Sequence, residues 1–337
     1  MIEQFTDHEL DSLSTIDETK NMPQHKLHHA NCFEWLREQP PASIHGVCAD
    51  PPFGIVEFLP HEMAKLRNGR GGVWRLPPTI GGSQRAPLPR FTTLTCQERE
   101  HVRVFFREFG EVLMPILIPG AHVFLAGTPM LQHLVQTGMA EAGYEVRGAV
   151  MRLYRGFRGG DRPKLAEREF AEVCVTPRGA YEPWMLFRKP IEEKTVAQNL
   201  RKWGTGALRR LGVDQPLPDV IQSGKTPAVE ESISDHPTMK PQHFLRVLVR
   251  SLLPLGRGWV LDPFCGSGAT IAACQAVGYD AIGVEIDAEY FASLESNIRN
   301  LASLYPKYKG ETLEIPDDCL PTGPKTKEQE YQQVLLL

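Results

Sequence analysis

Apolar and polar residues along this chain fall into blocks whose lengths separate strands from helices. Short continuous apolar runs stand at Ile44–Ala49, Ala121–Ala126, Trp259–Leu261 and Ala281–Ile286, each bounded by turn residues. Runs of that length predict buried strands. Helical spacing appears over Gln97–Val112, where Val102, Phe105, Phe106, Phe109 and Val112 share a face, and again over Pro129–Ala142 and Gln242–Leu253. Phe291, Leu294, Ile298 and Leu301 mark a last helix, with Asp287 placed to cap it. Asn31 can cap a short helix over Cys32–Glu38, which Pro40-Pro41 ends, and Glu145–Leu153 and Glu182–Phe187 read as further strands. The alternation of strand and helix predicts an α/β fold with a mostly parallel sheet covered on both faces.

One stretch organises the rest. Gly258–Asp287 reads as a strand stopped by Asp262-Pro263, a tight turn at Gly266-Ser267-Gly268, a helix ending at Gly278, and a second strand finishing on Glu285 and Asp287. A strand, glycine turn, helix and strand with a carboxylate at each strand end is a nucleotide pocket of the doubly wound kind. No Gly-Lys-Ser/Thr follows the turn and the spacing is not GxGxxG, so a pyrophosphate ligand is poorly supported. Far upstream, Asp50-Pro51-Pro52-Phe53-Gly54 closes the run Ile44–Ala49.

Together, DPPFG and DPFCGSG resemble the two signature motifs of the S-adenosylmethionine-dependent amino-methyltransferases that act on exocyclic amines of DNA bases. The catalytic motif comes first, and His236-Pro237-Thr238-Met239-Lys240-Pro241 precedes the cofactor motif, an order similar to the permuted beta class. The resemblance spans about residues 27–303. It implies a Rossmann-like, doubly wound, permuted methyltransferase fold with an inserted target-recognition region. The expected division is a flexible acidic lead-in over 1–25, a catalytic half over 26–153 with a mobile loop at 55–95, target recognition over 154–235, a cofactor half over 236–304 and a peripheral tail over 305–337.

The resemblance also implies roles. Asp50 and the Pro51 carbonyl, held rigid by Pro52, would accept hydrogen bonds from the target amine, and Phe53 would stack on a flipped-out base. The family usually has tyrosine there; phenylalanine keeps the ring. S-adenosylmethionine would lie against Asp262, Pro263, Phe264, Cys265, Gly266 and Gly268, with Glu285 on the ribose hydroxyls and Thr238 and Lys240 as candidates for its carboxylate. Cys265 lacks the Pro-Cys context of ring-carbon methylation and is expected to line the pocket.

At 337 residues with 42% hydrophobic content, the chain can bury a full core. No apolar run reaches membrane-spanning length and the N-terminus lacks signal-peptide character, so a soluble, cytoplasmic protein of bacterial, archaeal or phage origin is expected, with no membrane partner. The seven cysteines form no CxxC pair, which argues against a metal or disulfide framework. The net charge of −4 conceals a contrast. Glu3, Asp7, Glu9, Asp11, Asp17 and Glu18 crowd the first twenty residues, whereas 147–168 and 188–210 are rich in arginine and lysine. Arg155, Arg158, Arg201, Lys202, Arg209 and Arg210, interleaved with Phe157, Trp184 and Trp203, are therefore the candidate DNA contacts. Arg70, Arg75, Arg85 and Arg90 stand in the Gly/Pro-rich stretch 68–90, either an arm that touches DNA or a solvated insertion.

The function expected is site-specific methylation of the N6 amine of adenine in double-stranded DNA, because Asp opens the catalytic motif. Alternatives are N4-cytosine methylation, an RNA or protein-amide N-methyltransferase, and a catalytically silent DNA-binding subunit. A homodimer and a cognate restriction endonuclease are partners the class allows.

Overall fold

In the computed structural model the described residues are 23–52, 79–80, 83–84, 95–154, 162–163, 165–234, 236 and 238–314. Residues 1–22 of the expected lead-in, most of the 55–95 loop, Phe53, Arg155, Arg158 and the end of the tail lie outside them. In chain order the elements are β1 (His25–His29), α1 (Cys32–Glu38), β2 (Ile44–Ala49), β3 (Thr79–Ile80), β4 (Ser83–Gln84), α2 (Cys96–Leu113), β5 (Leu117–Ala126) and α3 (Gln132–Glu141). There follow β6 (Glu145–Leu153), β7 (Tyr181–Arg188), α4 (Val196–Trp203), β8 (Val220–Gln222), α5 (Ala228–Glu231), α6 (Gln242–Leu252), β9 (Trp259–Asp262), α7 (Ala269–Val277), β10 (Asp280–Glu285) and α8 (Ala288–Ser303).

Eight strands form one sheet in the order β1-β10-β9-β2-β5-β7-β6-β8; β3 and β4 pair only with each other. From β1 through β5 every neighbour is parallel; β7 runs antiparallel to both β5 and β6, and β8 is parallel to β6. Strand alternation divides the core between two faces. Cys48, Phe124 and Ala126 point into a cluster with α6, α7 and α8, while Val47, Ala49, Val123 and Leu125 point into another with α1, α2 and α3. That is why these strands read as unbroken apolar runs rather than alternating ones.

The chain leaves β2 through α2 toward β5 on one face, and leaves β9 through α7 toward β10 on the other. β2 and β9 are neighbours, so their boundary is the point where strand order reverses. Open α/β sheets bind ligands there, beyond the carboxyl ends of the strands.

Local signals set the element ends. The Asn31 side chain accepts from Phe33 N at 2.9 Å, Thr95 and Glu98 form a reciprocal capping box on α2, and Asp287 Oδ1 accepts from Glu289 N and Tyr290 N at 2.8 and 3.0 Å. Two findings depart from expectation. β7 lies inside the main sheet between β5 and β6, so the segment between the two halves supplies part of the core itself. Nor does the packed body stop at α8: Tyr305 and Tyr308 are buried, and Arg246, fully buried, donates to the carbonyls of Leu301, Leu304, Tyr305 and Tyr308. Aromatic bulk and five guanidinium donors that need acceptors keep this stretch docked.

Helices α2 and α3 touch at backbone distance. A Cβ on Gly138 would sit 2.4 Å from the Arg103 carbonyl oxygen and 2.9 Å from Arg107 N. Neither backbone atom can swing away, so Gly138→Ala is expected to cost about 2–3 kcal/mol, read as a lower urea midpoint at unchanged m-value.

Candidate active site

Two carboxylates mark the switch point. The register pairs Val47 with Leu261 and Gly46 with Val260, so Asp262 ends β9 beside Cys48, two residues short of Asp50. Strand spacing and rise then place the Asp50 and Asp262 Cα atoms roughly 8 Å apart. Residues separated by more than two hundred positions thus come together at one end of the sheet. Pro51 is buried behind Asp50 and Pro52 is exposed.

Asp262 is 3% exposed; its Oδ1 accepts from Phe264 N at 3.1 Å, and the Thr270 hydroxyl is a second partner. Burial raises its carboxyl to about 7. The loop beyond is held by glycines. Gly266 has φ +46° and its N–H donates to Glu285 Oε2 at 2.7 Å, while Gly268 has φ +81° and a Cβ there would lie 2.7 Å from Ile298 Cγ1. Glu285, at the end of β10, also accepts from Asp287 N through Oε1 at 2.8 Å. Each of its oxygens keeps acceptor capacity for a diol. Pro263 and Cys265 are buried, Phe264 is half-buried against the Phe109 ring, and burial pushes the Cys265 thiol up, as suits a lining residue. His236 lies over the turn, its Nε2 2.8 Å from where a Gly266 Cβ would be, and packs edge-on to Tyr290.

Lys240 has its Nζ 2.6 Å from Asp50 Oδ2 and 3.0 Å from Glu182 Oε1, so it bridges two carboxylates. The reason is proximity: Pro241 starts α6 beside the end of β2, and a half-buried ammonium takes the nearest anions. Burial opposes its charge, but Asp50 and Glu182 outweigh that and hold the ammonium above its ordinary value. Thr238 is exposed on the same segment.

Arg201, Lys202, Arg209 and Arg210 are not brought to this end of the sheet. Lys202 pairs with Glu192 and Glu193 at 3.0 and 2.8 Å. Arg209 donates to the Tyr279 hydroxyl at 2.8 Å, and the Arg210 carbonyl accepts from Arg250. Tyr279 precedes β10 and Arg250 ends α6, so these contacts lie at the opposite end of the parallel strands from Asp50. Sequence reasoning missed Glu182, Ser223 and His243, and counted Arg152 only among the charges of the basic stretch 147–168. Arg152 is 4% exposed and donates to Glu182 Oε2, Ser223 Oγ and the Gly224 carbonyl, while Ser223 Oγ meets His243 Nε2 at 3.0 Å. The available signal was one acid, Glu182, inside the apolar run of β7, since a buried carboxylate requires a cation.

A family model described as DNA methylase matches residues 44–296. Type II methyltransferase M2.DpnII of Streptococcus pneumoniae is 23% identical over 266 residues, covering 78% of this chain and 85% of that protein. Type II methyltransferase M.HindIII of Haemophilus influenzae is 30% identical over 272 residues, covering 72% and 85%. Among solved structures, M1.HpyAVI in complex with SAM superposes with TM-score 0.51 at 15% identity, over 82% of this chain and 99% of that one. The cytosine-N4-specific PvuII DNA methyltransferase superposes with TM-score 0.52 at 13% identity, over 85% and 94%. Both show the same fold. With the family model spanning both strand-end motifs and the switch point between them, the chain belongs to the N6/N4 DNA methylase family.

Proposed function

We propose that this DNA methyltransferase transfers the methyl group of S-adenosylmethionine to the N6 amine of an adenine flipped out of duplex DNA at a fixed recognition sequence. The observation that carries the reading is the juxtaposition of Asp50 and Asp262 at the ends of adjacent parallel strands. The residues present fit the cofactor. Asp262 is a buried carboxylate suited to an ammonium, Glu285 can accept from two ribose hydroxyls, and Gly266 and Gly268 leave the turn free of side chains. When bound, the cofactor supplies an electrophilic sulfonium methyl.

The chain's own groups prepare the nucleophile. An exocyclic amine is weakly nucleophilic because its lone pair is delocalised into the ring. Asp50 accepts one N–H and the Pro51 carbonyl the other, drawing the nitrogen toward tetrahedral geometry and stabilising the positive charge that grows on it. Phe53 is assigned the stacking face for the extruded base. Lys240, committed to Asp50, leaves Thr238 as the cofactor-carboxylate candidate. Aspartate at the head of the motif favours adenine; N4-methylcytosine is the alternative, and the fold serves both. The Type II names of the relatives make a restriction endonuclease of the same specificity the partner to seek.

Two measurements test this reading. Asp50→Ala is expected to lower kcat by roughly 10²–10³-fold while the cofactor still binds. Mass spectrometry of nucleosides from duplex DNA methylated by the native chain should show N6-methyladenine; N4-methylcytosine alone would reverse the base assignment, and unchanged turnover in Asp50→Ala would remove Asp50 from the reaction.

The pH dependence of cofactor binding follows from Asp262. Its carboxyl, raised to about 7, must lose a proton before it can pair with the cofactor's ammonium. Affinity should therefore rise with pH from 5.5 to 7, a window in which an α-amine stays protonated. Calorimetry should show this rise in the native chain, and weaker binding with a flat profile in Asp262→Asn.

A further inference from the structure

Asp50 is the outer end of a row of four charges that alternate in sign and run into the protein. Behind Lys240, Glu182 Oε1 lies 3.0 Å from the ammonium, and Glu182 Oε2 lies 3.2 Å from Arg152 Nη1. Each inner member is fixed from behind. Arg152 is held by Ser223 Oγ at 3.0 Å and the Gly224 carbonyl at 2.7 Å, and Trp184 Nε1 donates to Glu182 Oε2 at 3.2 Å. With Oε2 taken by two donors, Oε1 is the oxygen turned toward Lys240. A lysine ammonium is a point charge on a flexible stem, so a single carboxylate does not define its place. A second, immobile one does.

We infer that Glu182 is a positioning residue for methyl transfer: anchored by Arg152 and Trp184, it holds Lys240 across Asp50 Oδ2 and so leaves Oδ1 aimed at the target amine. The inference rests on the reading of Asp50 as the amine acceptor and adds what keeps that acceptor ionised and oriented. Burial pushes the Asp50 carboxyl up, Lys240 pulls it down, and the like charge of Glu182 pushes it up again. For Glu182, burial raises the carboxyl, but Lys240 and Arg152 outweigh it, so this carboxylate stays charged. Asp262 on β9 and the Cys48 thiol on β2 face the same space as Asp50. His243 stands behind Arg152 as a neutral ring, lowered to about 4 by burial.

The test is the pH profile of kcat, whose acid limb reports ionisation of Asp50. Glu182→Gln removes the like charge, so the limb should move to lower pH; loss of the anchor should lower kcat about tenfold, with KM for S-adenosylmethionine unchanged. Lys240→Met removes the counter-charge, so its limb should move to higher pH. Opposite displacements are the signature, since a merely structural defect lowers the folded fraction and leaves both limbs in place. Limbs that stay put, or that move the same way in both variants, overturn the inference. Should Glu182→Gln not fold, Glu182→Asp decides: it keeps the charge but draws it back by one methylene, so kcat should fall with the limb near its native position, and native kcat overturns the inference. Native turnover in Asp50→Ala would instead mean that the underlying assignment of Asp50 is wrong.

Discussion

The pairing of β2 with β9 is the constraint on which the rest of the molecule depends. These strands come from opposite ends of the chain, and their parallel register sets the carboxylates that follow them on one edge of the sheet. Parallel pairing needs long crossover connections, and here the connections leave on opposite faces, which opens a crevice above the strand ends. Each side has its own hydrophobic cluster, so burial on both faces fixes the register: a slip of one residue would exchange Val47 and Cys48 between the two clusters. The distance between the two acids is therefore set by core packing, not by the loops that carry the motifs.

Electrostatics places a second demand on the same region. Asp50, Glu182, Asp262 and Glu285 gather near one edge, and a cluster of buried like charges is costly unless cations or donors are interleaved. Lys240 separates the first two and Arg152 backs Glu182, backbone N–H groups serve Glu285, and Asp262 is met by neutral donors among the described residues. Burial accordingly raises the Asp262 carboxyl to about 7. Cations balance the Asp50–Glu182 end of the cluster, and neutral donors meet the Asp262–Glu285 end.

Much of this was legible in the chain. The runs at Ile44–Ala49 and Glu145–Leu153 became strands with the bounds their apolar pattern indicates, and Asn31 and Asp287 cap the helices they precede, because those signals are local. The pairing of two distant motifs was legible only through resemblance, since no local pattern tells one strand which partner it will have. Charge was the least legible property. Arg152 and Arg188 counted toward the basic stretches 147–168 and 188–210, yet both are buried and paired, with Glu182 and with Glu145. A run of residues shows how many charges it holds but not which side of a strand each one faces. The partners of Lys240 were illegible for a related reason: the motif fixes its position in the chain, but its Nζ goes to the anions the fold brings within reach, Asp50 and Glu182.

The segment His236–Pro241 is where the two halves of the site become one object. His236 rests on Gly266 in the cofactor turn, and four residues on, Lys240 rests on Asp50 in the catalytic motif. Pro241 then begins α6, whose apolar face is buried in the cluster shared with α7 and α8. Two side chains four residues apart thus meet the two motifs, His236 at Gly266 and Lys240 at Asp50. A residue that precedes α6 and β9 in the chain therefore sets the charge beside the acid that follows β2, and the two acids share one electrostatic environment.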